Sequence, residues 1–586
     1  MQTAGTTSVH AALAAIIVTA AAVMATAIVD VPFFTKGEPR EALVVQQMAA
    51  TGNRILPLHA RGEIQSKPPL FHWLGLITSA ASGGVSEASV RVPSIAASSL
   101  VIGLTAATAL RTSGAGAALV SAVVLATSFL WLQASTIARV DMTLAAAVSV
   151  SLLAFERAWA RGRRRLPVAF WLAAAAGVLA KGPIGLLLPV GVVCVYLAVC
   201  GELRTLAQPR VLNVPAMALA VVVPLVWYVP AALEGGALFV EKHLLKENLL
   251  RVLDAEGVGA GHVKPFWFYG PALLAGFAPW SPLLFPAVLD AWRRRGRLAG
   301  DGTLFALVWV GLTVAVYSLA GSKRSIYLLS CYPALALLVG RWFAARFVHT
   351  IPVAPRLSLP TVAVVLPAGL VVLAASAVLL EASSVSALEG LVPVLSANDA
   401  ANLSAVSAAI ASHRGLCSAW ALAAIALAAA LVGAGRAGKP VAAFSLVAVL
   451  VASTAATAGT TVLPELAARL SLRALLQPAS SRIRPDEPLS FYGRFEYLEY
   501  IRPAAAYYAG RAVPVVDTIE AVGAGRNVGR LWFLVAESRL AALEADAASG
   551  TRDGGRAIIY DIRVIARHTY GDSPRREPLL LVEARR

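Results

Sequence analysis

Apolar stretches of membrane-spanning length recur through the first 463 residues of this chain, at about 9–29, 92–110, 115–132, 140–156, 166–180, 183–200, 211–232, 266–289, 303–320, 325–343, 358–380, 415–433 and 440–463. A helix needs about 20 apolar residues to cross a bilayer. No other feature constrains the fold as much. In lipid the backbone must satisfy its own N–H and C=O groups, and a helix does so within one segment. The composition agrees: 58% of residues are hydrophobic and 14% charged, with a mean hydropathy of +0.71. Soluble domains carry about 25% charged residues. The expectation is a membrane all-α bundle of about thirteen transmembrane helices. The first stretch is Ala-rich, but its length of about 20 residues and its lack of a basic leader favour a span over a cleaved signal peptide.

The net charge of +17 is not spread evenly. With the N-terminus in the cytoplasm and the spans alternating, the internal turns hold Arg111; Arg157, Arg161 and Arg163 to Arg165; Arg204 and Arg210; Arg293 to Arg295 and Arg297; Arg341, Arg346 and Arg356; and Arg436 and Lys439. Only Glu156, Glu202, Asp290 and Asp301 oppose them there. The positive-inside rule predicts this bias. The excess charge is therefore a topology signal among membrane lipids, and no nucleic-acid partner is expected. The parity of the spans places everything after residue 463 outside the cytoplasm.

Two external segments, 30–91 and 234–265, are too long to be turns, and long loops between packed helices are usually functional. Within the first, Glu41–Ala50 and Pro69–Ala81 read as short amphipathic helices at the membrane surface. After about residue 464 the composition changes. Strand-like PLSFYG (488–493), AVPVV (512–516), RLWFLV (530–535), RAIIY (556–560) and PLLLVEA (578–584) alternate with helical runs such as Phe495–Tyr508. The domain reading is 1–463 as a transmembrane unit and 464–586 as a small extracytoplasmic α/β domain without a catalytic motif. Cys194, Cys200, Cys331 and Cys417 sit in apolar stretches without ligand spacing and read as small hydrophobes.

Ionisable residues at membrane depth or at helix mouths are costly, which makes them functional candidates. Here they gather on the external side. The first loop opens with Thr35-Lys36-Gly37-Glu38-Pro39-Arg40-Glu41 and continues through Gln65-Ser66-Lys67-Pro68-Pro69 to His72. Further external turns carry Arg139-Val140-Asp141, Lys181-Gly182-Pro183, His262-Val263-Lys264 and Lys323-Arg324-Ser325-Ile326-Tyr327. Cation clusters of this kind bind phosphate, and at an outer membrane face they suggest a lipid phosphate.

These residues resemble the bacterial aminoarabinose (lipid A) transferase and protein O-mannosyltransferase superfamily of GT-C membrane glycosyltransferases. The resemblance is carried, in order, by GEPREALVVQQMAATGNRILP, SKPPLFHWL, ASVRVPS, ARVDMTL, LAKGPIGLLLP, HLLKENLLRV, KPFWFYGPALLAGFAPWSPLL and SKRSIYLLSCYPALALLVG. It implies a GT-C bundle that transfers a sugar from a polyprenyl-phosphate donor to a lipid A, glycan or protein acceptor, with inversion at the anomeric carbon. Glu38 or Asp141 would serve the acceptor hydroxyl as base. Arg40, Lys67, Lys181, Lys323, Arg324 and Tyr327 would hold the donor phosphate, with Glu41 and His262 on the acceptor side. Two departures stand out. The family's usual Asp-Glu pair is here Gly37-Glu38, and the acidic residue expected before Lys-Pro-Pro is Ser66. The second is a proposed metal ligand of the family, so its divalent-metal pattern is incomplete here and no metal or other cofactor is assigned. The alternative reading of the whole chain is a lipid or solute transporter, against which stand the absence of a convincing repeat and the placing of polar residues in outer loops.

Overall fold

The computed structural model describes residues 2–35, 37–57, 64–243, 264–294, 302–348, 374–380, 397–523, 529–549, 551–553, 556–558, 560–569 and 577–585. It is mainly helical. The first part comprises α1 (Gln2–Thr26), α2 (Glu38–Thr51), α3 (Leu70–Ala81), α4 (Glu87–Thr127), α5 (Phe129–Ser135), α6 (Val140–Trp159), α7 (Val168–Lys181) and α8 (Ile184–Val199). Long apolar helices follow at Val214–His243, Ser325–Val348, Arg414–Arg436 and Pro440–Thr460.

Among the described residues seven helices are long and apolar enough to cross a membrane, and eight if the bent pair Phe266–Gly276 and Ser281–Arg293 counts as one span. The chain is a multi-pass membrane protein. The expected count of thirteen full crossings is not reached on these criteria. α7, α8 and Thr303–Leu319 have 14, 16 and 17 residues, short of a full bilayer. The expected spans 92–110 and 115–132 belong to one 41-residue element that breaks at Gly114, where φ is +87°. Glycine alone takes that conformation without a steric cost. The expected span 358–380 lies mostly outside the described residues.

One face of the bundle gathers the arginine-rich turns. Arg341 pairs with Glu156 and also donates to Ser113 and Thr112, both beside the α4 break. Arg164 binds Glu202 at 2.8 Å, and Arg165 donates to Asn213 at 2.6 Å. Turns far apart in sequence thus meet on the same side, as alternation of the spans requires. Between the two faces lies a continuous apolar core whose largest fully buried side chains include Trp131, Trp309, Tyr332 and Phe155.

α7 and α8 form a tight hairpin. A Cβ on Gly185 would lie 2.0 Å from the Gly177 backbone, so only glycine permits this approach. The hairpin tip carries Lys181, followed by Gly182 at φ +86°.

The C-terminal part holds β1 (Leu489–Tyr492), β2 (Val515–Val516), β3 (Arg530–Ala536), β4 (Thr551–Asp553), β5 (Arg556–Ile558), β6 (Asp561–His568) and β7 (Leu579–Arg585). A five-stranded sheet runs in the order β2-β1-β3-β7-β6, parallel across β2-β1-β3 and antiparallel across β3-β7-β6. Apolar clusters cover both of its faces, one including Leu489, Phe491, Ile501 and Trp532, the other Phe533, Val535, Leu543 and Val582. The helix expected at Phe495–Tyr508 spans Leu498–Ala509. RAIIY contributes only a short strand, paired with β4 in a separate two-stranded ladder. The sheet strand is instead the following DIRVIARH, an edge strand whose largely solvent-facing charges obscure its pattern.

Candidate active site

α2 starts at Gly37 with Pro39 in its first turn, where a missing N–H is harmless and the fixed φ suits a helix. Glu38 and Glu41 occupy that same turn, where acidic groups complement the helix dipole. One helical turn separates them, yet their environments differ.

Glu38 is fully buried. Its Oε1 accepts from Arg91 Nε at 2.7 Å and from the Ala138 N–H at 3.1 Å, while Oε2 accepts from the Thr35 hydroxyl at 3.0 Å. Arg91, the fifth residue of α4, also donates to the carbonyls of Val31 and Pro32 and lies over the Phe33 ring at 5.0 Å. Arg40, two residues along, binds Glu41 at 2.7 Å. Glu38 therefore ties the end of the first span, α2, α4 and the turn before α6 into one knot.

Glu41 is also buried. It accepts from Arg40 through Oε1 and meets His72 Nε2 at 2.8 Å through Oε2. Burial pushes its carboxyl up, but Arg40 and the His72 contact outweigh that and hold it far below the ordinary carboxylate range. The Glu41 charge is near enough to repel that of Asp141.

Asp141 sits in the first turn of α6. Its Oδ1 accepts from Lys181 Nζ at 2.5 Å and its Oδ2 from Arg139 Nε at 3.2 Å. The Lys181 ammonium stands 4.2 Å from the centroid of the Tyr327 ring. Tyr327 packs on Tyr317 at 5.3 Å, and Tyr317 on Tyr269 at 6.4 Å. The Tyr269 hydroxyl accepts the Arg324 backbone N–H at 3.2 Å. The Arg139 guanidinium covers Gly37 so closely that a Cβ there would lie 3.1 Å from its Nη1. Lys181 and Arg139 keep 16% and 23% of their side chains exposed against 4% for Asp141, so these two cations stand between the carboxylate and the surface they reach.

Of the expected site residues, Asp141, Lys181 and Tyr327 make direct contact, with Glu41 and Arg40 across from them. Lys323 is buried and donates to the Ala320 carbonyl at 2.8 Å. Lys67 is half-buried on a segment held by Lys242, which donates to the Ile64 carbonyl, and by His243, whose Nε2 is 2.7 Å from the Gln65 carbonyl. His262 lies outside the described residues. His72 and Arg139 were among the external candidates without an assigned role, and Arg91 lay in the ASVRVPS stretch of the resemblance; Tyr269 and Tyr317 were missed, because in sequence they look like core. Among the described residues no three His, Cys, Asp or Glu side chains converge as metal ligands. Glu41 and His72 are in direct hydrogen bond at 2.8 Å.

A family model described as dolichyl-phosphate-mannose-protein mannosyltransferase matches residues 66–228, the stretch containing Lys67, Arg91, Asp141 and Lys181. The undecaprenyl phosphate-alpha-4-amino-4-deoxy-L-arabinose arabinosyl transferase of Pseudomonas aeruginosa (strain UCBPP-PA14) is 34% identical over 175 residues, 30% of each chain. The enzyme of the same name from Erwinia tasmaniensis is 42% identical over 80 residues, 14% of each chain. The matched region thus spans less than a third of these relatives' length. The crystal structure of ArnT from Cupriavidus metallidurans bound to undecaprenyl phosphate is similar over 97% of both chains, with a TM-score of 0.74 at 19% identity. This chain has the GT-C fold. Within that GT-C bundle the Asp141–Lys181–Tyr327 cluster lies between the turn ahead of α6, the tip of the α7–α8 hairpin and the turn ahead of Tyr332.

Proposed function

We propose that this chain is a glycosyltransferase that moves a sugar from a polyprenyl-phosphate donor to a lipid A, glycan or protein acceptor on the outer face of the inner membrane. The observation that carries the reading is the Lys181 ammonium held between the Asp141 carboxylate and the Tyr327 ring, with the buried acid flanked by two partly exposed cations, Lys181 and Arg139. The names of the relatives support a polyprenyl-phosphate donor. The arginine bias supports an extracytoplasmic site and an extracytoplasmic domain at 464–586, joined to a transmembrane unit at 1–463.

In this reading the donor phosphate lies against Lys181, Tyr327 and Arg324, with Arg40, Lys67 and Lys323 adding positive field around it. The acceptor hydroxyl is oriented by Asp141. Its oxygen attacks the anomeric carbon from the face opposite the phosphate, so the new bond has inverted configuration. The bond from that carbon to the phosphate oxygen breaks, and its electron pair leaves with the lipid phosphate. The hydroxyl proton passes to Asp141. Lys181 stabilises the charge that develops on the leaving group, and such preorganised cations are worth most in a water-poor site. In this reading Glu38 is structural, its oxygens taken by Arg91, the Ala138 N–H and the Thr35 hydroxyl, whereas the partners of Asp141 are two partly exposed cations that a bound phosphate would draw toward itself. Glu41 and His72 face the acceptor side.

The test supplies the purified protein with a labelled undecaprenyl-phosphate sugar and a solubilised envelope fraction as acceptor. Release of undecaprenyl phosphate together with label in an acceptor supports the reading. An intact donor that is bound and carried across a vesicle membrane would make the protein a transporter.

A further inference from the structure

The helix Leu498–Ala509 of the C-terminal part and the site helix α2 are separated by more than 400 residues of chain, yet they pack together, and a small, fully bonded polar contact lies beside them. Tyr508 lies on the helix Leu498–Ala509. Its hydroxyl accepts the Phe33 N–H at 2.9 Å and the Ser471 hydroxyl at 3.3 Å, and donates to Glu87 Oε1 at 3.2 Å. One donor and two acceptor sites satisfy a phenol completely. The neighbouring Tyr507 places its ring edge-on against Phe33, centroids 5.1 Å apart, and its carbonyl accepts from Gln46 at 3.3 Å. Arg473 adds a charge opposite Glu87 at 3.7 Å.

Each contact on the membrane side leads to the site. Gln46 lies on α2, the helix of Glu38 and Glu41. Phe33 is the ring beneath Arg91, whose guanidinium holds Glu38. Glu38 in turn binds the Ala138 N–H, one residue from Arg139, which pairs with Asp141. Two short routes therefore run from the tyrosine pair to the acidic groups, one along α2 and one through Phe33, Arg91 and Glu38.

We propose that the C-terminal domain is a working part of the site: Tyr507 and Tyr508 are positioning residues that set the placement of α2, and through it of Glu41 and the turn bearing Arg139. This rests on the function proposed above. α2 is a short helix on a surface loop, with an apolar side in the bundle and no spanning segment of its own, so its placement depends on what holds its ends. A misplacement of about 1 Å at a reacting group can cost on the order of a hundredfold in rate. The donor-phosphate groups Lys181 and Tyr327 stand on other elements and are not held by this contact.

The test uses the full-length protein with Tyr508→Phe, which keeps the ring and removes the hydroxyl, and Gln46→Leu, which removes the grip from the α2 side. Hydrogen exchange over residues 31–51, turnover and undecaprenyl phosphate binding are measured together, with protection of β1 and β3 as the check on domain folding. The expected result is faster exchange across 31–51, turnover lowered on the order of tenfold, lipid phosphate binding within twofold of the parent and an intact sheet. Unchanged turnover in both variants with an intact sheet overturns the proposal, whether or not exchange rises. If the parent protein itself releases no lipid phosphate, the proposed function fails, and unchanged exchange over 31–51 in the variants then separately removes the mechanical link.

Discussion

Glu38 and Arg91 form an ion pair at 2.7 Å with both side chains sealed from solvent. Removing one partner of such a pair leaves an uncompensated buried charge and costs about 3–5 kcal/mol. Glu38→Gln should therefore lower yield and melting temperature, and Arg91→Met added to it should recover part of the loss. A thermal-shift series on the single and double variants decides this. If Glu38→Gln melts like the parent and yet transfers no sugar, Glu38 belongs to the chemistry after all.

Asp141→Asn keeps the size of the side chain and removes its ability to take a proton. Loss of a general base costs about 10²–10⁴ in rate. Turnover should fall within that range while the protein inserts and binds undecaprenyl phosphate. Retention of more than about a tenth of parental turnover would move the base to another group, with Glu41 the nearest carboxylate to examine.

Among the cations, Lys181 and Lys323 should separate. Lys181 contacts Asp141 and Tyr327, whereas the Lys323 ammonium is engaged by the Ala320 carbonyl. A charge-assisted hydrogen bond contributes about 1.5–3 kcal/mol, so Lys181→Ala should weaken undecaprenyl phosphate binding roughly ten- to a hundredfold. Lys323→Ala should weaken it less. Direct binding measurements on both variants check the order, and equal losses would place the phosphate nearer the turn before Tyr327.

Glu41 gives a pH signature. Its folded carboxyl is held below the ordinary value of 4.5 by Arg40 and His72, against the upward push of burial. A depressed carboxylate contributes stability that is fully present above the unfolded value and is lost as pH falls toward the folded one. Melting temperature should thus drop as pH is lowered below about 4.5, and Glu41→Gln should flatten that drop. Parallel acid titrations of parent and variant that differ only by a constant offset would count against this assignment.

Topology has its own test. The arginine-rich turns meet on one face, and a C-terminal alkaline phosphatase fusion should be active because residues after 463 are expected outside the cytoplasm. Activity of a cytoplasmic reporter at that position would reverse the orientation.

The apolar repeat and the arginine bias were local properties of the chain, and local properties suffice for a membrane helix: the bilayer demands about 20 apolar residues wherever a span lies, whatever its neighbours. The helical bundle was legible for that reason, and most of the C-terminal strands were legible because short runs of branched and aromatic residues bounded by turn residues are just as local. Lys181 and Asp141 were legible as candidates because a charge at a helix mouth is costly. Their partnership was not, since 40 residues separate them and it takes the packing of α7 along α6 to bring the lysine at the end of one to the aspartate at the start of the other. The roles of the two first-loop glutamates were decided entirely by what packs around them. Glu38 and Glu41 share one turn of one helix and the same nearby Arg40 in sequence, yet Arg91 from α4 claims the first and His72 from α3 the second. Composition and spacing identify which groups are costly to bury. Which opposite charge neutralises each one depends on distances set by helix packing, and those exist only once the chain has folded.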